Sequence, residues 1–252
     1  MGDNKDFDES KLDTTEIRLT SENKILSKLS NFWYHYKWTV IIVAFFATIL
    51  IIGVVQMIQK EDDDTFVVLA APTTFYGEDL SGINAALESV MPSDINGDGK
   101  KSVCLMTYSI YSEEEMKAAN EEETDENGRF VTKVSQSHNT SEHQSYVEYL
   151  RNGEASILFV SEYLYNSLRD NDTLRPLSDL FGEKLPEGTL ADGYGVRLGD
   201  LAIYDFCPEL QRLPEDTVVC LKRAHIWGAS SNKKTYAALE EFYKSIVTFG
   251  EN

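Results

Sequence analysis

Asp94, Asn96 and Asp98 stand at alternate positions in the run Asp-Ile-Asn-Gly-Asp-Gly over residues 94–99. Oxygen side chains at loop positions 1, 3 and 5, glycine at 6 and Ser102 at 9 reproduce most of a calcium-binding loop. The carbonyl of Lys100 would be the ligand at position 7. A hard cation needs several oxygens converging from one tight turn, and alternate acidic positions supply them. Position 12 is Leu105, where an EF-hand has a bidentate carboxylate, so the missing ligand would be water or a remote acid. The alternative is an Asn-Gly/Asp-Gly turn that holds no metal. Calcium on Asp94, Asn96, Asp98, Lys100 and Ser102 is the expectation.

The other reactive side chains form no such pattern. His138 and His143 are five residues apart and do not share a helix face, while His35 and His225 stand alone. No HExxH, GxSxG, P-loop or CxxC occurs. Carboxylates are abundant, but spacing singles out no acid pair of the glycosidase kind. The chain is therefore expected to bind and not to catalyse. Three cysteines are too few for a disulfide scaffold. Cys207 and Cys220, on either side of an expected turn, either form a bridge outside the cell or remain small buried side chains. Asn139 and Asn171 open glycosylation sequons, which matter only in a eukaryotic secretory host.

The elements that carry these residues begin with a membrane segment. Residues 38–55 (WTVIIVAFFATILIIGVV) contain no charge, and with residues 56–58 the run reaches the length of helix that spans a bilayer core. A core helix of that length would show a polar stripe, and none is present. The run starts late for a signal peptide, no small-x-small site follows it, and no cysteine ends it as in a lipoprotein. Lys24, Lys28 and Lys37 precede it, whereas Lys60 is followed at once by Glu61, Asp62, Asp63 and Asp64. The positive-inside rule then leaves the N-terminus in the cytoplasm. Phe32, Trp33, Tyr34, Tyr36 and Trp38 form an aromatic belt at the inner interface. The organisation is a largely disordered cytoplasmic tail over 1–37, a single transmembrane helix over 38–58, an acidic linker over 59–65 and an extracytoplasmic domain over 66–252.

Charge narrows the partners. The 252 residues include 42 acidic and 23 basic side chains, a formal charge of -19. Nucleic-acid binding needs a cationic face, so that class is set aside. The exterior part holds 35 of the acids and 17 of the bases. A cationic partner or a bound metal therefore suits it better than a bare anionic surface. Its pattern alternates strand-like and helix-like segments. Strands are expected over 66–70, 103–108, 129–134, 155–160, 201–204 and 217–221. Helices are expected to carry Leu80 to Val90, to open at a capping box on Ser141 and Gln144, to follow Ser161, and to start near Asn232. Residues 112–127 hold eight carboxylates and one lysine and read as a solvated helix start followed by a loop. The fold class is α/β, one domain with a mainly parallel sheet flanked by helices.

Tyr149-Leu-Arg-Asn-Gly-Glu-Ala-Ser-Ile-Leu-Phe-Val160, then Leu168 and Leu174-Arg-Pro-Leu177, resemble one lobe of an extracellular solute-binding protein. Ser156 stands where that family has aspartate. The segment Asp192-Gly-Tyr-Gly-Val196 is similar to its "YGVP" element, with Arg197 in place of proline. The resemblance implies ligand capture, with Tyr111, Tyr163, Tyr165 and Tyr194 as candidates for stacking on a ligand. The expectation is a membrane-anchored, extracytoplasmic ligand- or partner-binding protein that acts beside a transporter or an envelope protein complex. The alternative is an envelope assembly scaffold that binds other proteins and no small solute.

Overall fold

The computed structural model describes residues 13–59, 63–121, 133–153, 155–224 and 231–250. They fall into two compact units, Met1–Glu61 and Asp62–Asn252. The first unit is one helix, α1 (Asp13–Gln59). Its segment Lys28–Val55 is long and apolar enough to cross a membrane, and none of its most apolar window is buried in the fold. Such a segment serves as a membrane anchor or as a signal sequence. The helix starts well before Trp38, so it includes residues 13–37 of the expected tail; residues 1–12 lie outside the described residues. No proline or glycine interrupts residues 13–52, so nothing in that stretch breaks the backbone ladder.

The second unit is built on a five-stranded sheet in the order β2-β1-β3-β5-β4. Its strands are β1 (Thr65–Ala71), β2 (Val103–Ser109), β3 (Ala155–Val160), β4 (Gly195–Arg197) and β5 (Val218–Leu221). β1 pairs in parallel with β2 and β3, and β5 lies antiparallel to both β3 and β4. Four strands thus point the same way and β5 opposes them. All six residues of β3 are buried, which is why its sequence shows no alternation.

Helices cover both faces. Val67, Leu69, Ile157, Phe159 and Val219 face one apolar cluster with α2 (Gly77–Val90) and α8 (Lys233–Val247). Val68, Ala70, Leu158, Val218 and Cys220 face the other, with α4 (Gln136–Asn152) and α5 (Glu162–Asp170). The chain moves from β1 to β2 through α2 on one face and from β2 to β3 through α4 on the other. Right-handed crossovers running in opposite directions place their helices in this way. From α8, Tyr243 donates to the carbonyl of Val219 at 3.1 Å and Tyr236 to that of Lys222 at 2.8 Å.

Three expected elements differ. After the single turn α6 (Ser178–Phe181), residues 202–206 form a short helix, α7 (Ala202–Phe206), and not a strand. A brief apolar run satisfies either period, and here Ile203 and Tyr204 are buried by the helix. The helix expected at Ser141 begins at Gln136, because the Ser135 side chain takes the His138 N–H at 3.1 Å. Of the strand expected over 129–134, residues 129–132 lie outside the described residues. Val134 forms no strand, and the Asn120 side chain satisfies both its N–H and its carbonyl. The acidic stretch does begin as a helix, α3 (Glu113–Glu121), and Gly153 ends α4 in the left-handed conformation at φ 74°. Cys207 and Cys220 are free and belong to opposite apolar clusters with the sheet between them, so they form no bridge in this fold.

Candidate functional site

The strand order reverses between β1 and β3, since β1 connects leftward to β2 and β2 connects back past it to β3. Loops leaving the carboxyl ends of two such strands diverge and open a crevice, the usual ligand position in open α/β sheets. A cleft of about 590 Å³ lies at that point. Pro72 enters it from the end of β1, Ser112 and Glu113 from the segment after β2, and Ser161 and Glu162 from the end of β3. Asp216, just before β5, closes one side.

Acids dominate its lining. Glu113, Glu114, Glu115, Glu162 and Asp216 face the cleft with no basic residue among them. Glu115 is committed locally: its carboxylate accepts the Ser112 N–H at 2.6 Å while the Ser112 hydroxyl accepts the Glu115 N–H at 3.2 Å. That reciprocal pair is a capping box on α3. The four other carboxylates enter none of the ion pairs formed among the described residues. Ser161, at the N-cap of α5, is 5 % exposed and its hydroxyl has no hydrogen-bond partner among the described residues. Tyr163 stands on the rim, 48 % exposed.

The four tyrosines separate into two pairs. Tyr111 and Tyr163 line an adjoining groove of about 340 Å³ that shares Glu113 with the cleft. The backbone of Tyr111 is held on both sides by the Asn139 amide, at 2.9 and 2.8 Å, which commits the first sequon asparagine to the fold. Tyr165 is buried, and it donates to Asp192 at 2.5 Å. Tyr194 packs against the same apolar cluster, and its N–H reaches Asp192 at 3.3 Å. Arg169 completes the arrangement with a 3.0 Å contact to Asp192.

Partial burial opposes ionisation of Asp192, but the Tyr165 hydroxyl and Arg169 outweigh it and hold the carboxyl below its usual range. A depressed carboxyl stabilises the fold fully above its unfolded value, and loses that contribution as pH falls through the folded value. Asp192→Asn is expected to cost about 1–2 kcal/mol at neutral pH, chiefly through the Tyr165 bond, because Arg169 is partly solvated. Urea melts should show the gap between variant and parent shrinking below about pH 4, as the parent carboxyl becomes protonated. A gap that is constant from pH 7 to pH 3 would show that the charge contributes nothing.

The Asp94 loop lies before β2 and is tied together by its own side chains. Asp94 accepts the N–H groups of Gly97 at 2.5 Å and Gly99 at 2.7 Å, Asn96 accepts that of Asp98, and Asp98 accepts that of Lys100. Gly97 and Gly99 take positive φ, 83° and 92°, so that the backbone can wrap round the Asp94 carboxylate. The bonds from Gly99 and then Gly97 lower the Asp94 pKa. Beneath them sits Asp64, buried, which accepts from Ile95 and Asn96 at 2.7 Å each and from Ser102 at 3.0 Å. Among the described residues no group of three or more His, Cys, Asp or Glu is arranged to hold a metal ion. His138 and His143 both lie on α4, and His225 is outside the described residues.

Sequence reasoning did not single out Ser161, Glu162 or Asp216 as site residues, and Ser161 entered only as the start of a helix. Their common signal is position, each beside the carboxyl edge of the sheet or the start of β5, and that follows only from the strand order. Comparison of the chain with protein-family models, with curated proteins and with solved structures finds no match in any of the three.

Proposed function

We propose that the chain is a membrane-anchored binding protein whose α/β domain works outside the cytoplasm and captures a ligand or partner segment bearing positive charge. The observation that carries this reading is the switch-point cleft, with four carboxylates that enter no ion pair among the described residues and Tyr163 half-exposed at its rim. An ammonium or guanidinium placed there would gain from clustered acids and from the tyrosine face, at about 0.5–2 kcal/mol for the cation–π part. A single lobe resembling those of solute-binding proteins would present such a ligand on an open surface, beside a transporter or another envelope complex. The extracytoplasmic side is supported by the lysines before the apolar segment and the acids after it.

Thermal melts of the protein with spermidine, a lysine-rich peptide, neutral sugars and an acidic peptide test the reading. The two cationic probes are expected to raise the melting temperature, as a ligand at 100 times its Kd adds about 2.7 kcal/mol. Glu162→Gln with Asp216→Asn should abolish most of that gain, and added salt should weaken it. Equal behaviour of cationic and acidic probes would sink it. Calcium at the Asp94 loop belongs to the same proposal, with buried Asp64 as the remote acid. The melts are therefore run in calcium and in chelator, and a rise that Asp94→Asn removes supports a bound ion. The second reading is an assembly scaffold, favoured by Phe206, 58 % exposed, whose ring lies tilted against that of Phe249 with centroids 4.9 Å apart. Crosslinking through Phe206 with no response to any soluble probe would favour it.

A further inference from the structure

A second cavity, with basic residues in its lining, lies between α4 and α5. Its volume is about 380 Å³, and its polar wall includes His143, Arg151, Lys222 and Thr173. Although the chain has 42 acidic residues, no Asp or Glu among the described residues lines it. The opposite wall is apolar, formed by Val147, Leu150, Leu164 and Leu168. It shares no residue with the switch-point cleft.

Lys222 follows β5 on the cavity side and is 5 % exposed. Its ammonium donates to the carbonyl of Leu150 in the last turn of α4, and among the described residues it forms no ion pair. One of its three donors is thus spent on a neutral acceptor. A buried cation with no counterion is costly, and burial accordingly lowers its pKa. Tyr146, which also lines the cavity, is 3 % exposed and its hydroxyl has no partner among the described residues. A buried ammonium and a buried hydroxyl in one half-apolar cavity, neither met by an anion among the described residues, call for the same group.

We propose that this cavity binds a small organic acid, a carboxylate on a compact apolar body, with Lys222 as its counterion and Arg151 at the mouth. The carboxylate takes the free donors on the polar wall, and the apolar body fills the space against Leu150, Leu164 and Leu168. Inorganic phosphate meets only half of that lining.

Titration calorimetry on the full chain in neutral-detergent micelles tests this with benzoate, its neutral counterpart benzamide, and inorganic phosphate. Benzoate is expected to bind at least about tenfold more tightly than either, the margin of one charge-assisted hydrogen bond in a buried site. Lys222→Met should lose benzoate binding. Tyr146→Phe keeps the shape of the ring, so it tests the site even if the lysine variant fails to fold, and it should weaken benzoate about fivefold, as the loss of a neutral hydrogen bond does. Neutralising the acidic cleft with Glu162→Gln and Asp216→Asn should leave benzoate binding unchanged, which separates this proposal from the previous one. Benzamide or phosphate binding as well as benzoate would overturn the proposal. So would no heat from benzoate, in which case Lys222 serves only to cap α4.

Discussion

A chain that begins at Asp62 is expected to leave the membrane fraction completely and to keep its fold, while the full chain resists alkaline extraction. Residues 38–55 contain twelve Val, Ile, Leu and Phe residues. At about 0.3–0.6 kcal/mol each near a helix centre they supply roughly 4–7 kcal/mol toward insertion. None of that window is buried in the fold, and both apolar clusters of the second unit are built from residues 66–249. The truncated chain should therefore melt within about a degree of the full chain in detergent. A signal sequence would behave otherwise, because the extracted full-length product would begin after the apolar run and would already be soluble. Protease added outside intact cells extends the test to topology. It should remove the domain and leave a membrane fragment, whereas complete protection in cells shown to be accessible would place the domain inside.

How far the fold could be read from residues depended on whether the deciding contact was local. The unalternating run of β3 and the apolar face of α8 (Tyr236, Leu239, Phe242, Tyr243 and Ile246) are periodic signals, and both elements are in place. Gly153 closes α4 for a reason contained in one residue. Other outcomes turned on partners distant in sequence. The start of α4 is anchored because Asn139 bonds the backbone of Tyr111, and the Asp94 loop is held by Asp64, which lies 30 residues upstream of Asp94. Of the candidate site, the sequence offered Tyr163 and Tyr111 but also Tyr165 and Tyr194, since a tyrosine's type does not tell whether its ring is in the core. The cleft itself depends on β3 crossing to the far side of β1, a fact of pairing order that no local run records.

The largest loss of stability from a single side chain should come from Phe159→Ala. Phe159 is fully buried near the carboxyl end of β3, the central strand, between Leu69 of β1 and Val219 of β5, and faces the cluster shared with α2 and α8. Truncating a buried phenylalanine removes its transfer free energy and leaves a cavity that the surroundings fill only partly, about 3–5 kcal/mol together. For a domain of this size each kcal/mol moves the melting temperature by about 2–4 °C, so a fall of roughly 10 °C is expected. Leu69 and Val219 belong to paired strands whose backbones fix their positions, so neither can move in to fill the space without breaking the ladder. Tyr163→Ala is the matched control. Its ring is half-exposed on the cleft rim, and its loss should change stability by no more than about 0.5 kcal/mol. If binding of the cationic probes falls in Tyr163→Ala while its melt is unchanged, the rim acts on the ligand and not on the fold. A Phe159→Ala melt within 2 °C of the parent, at about 1 kcal/mol or less, would mean that β3 is not the centre of the core.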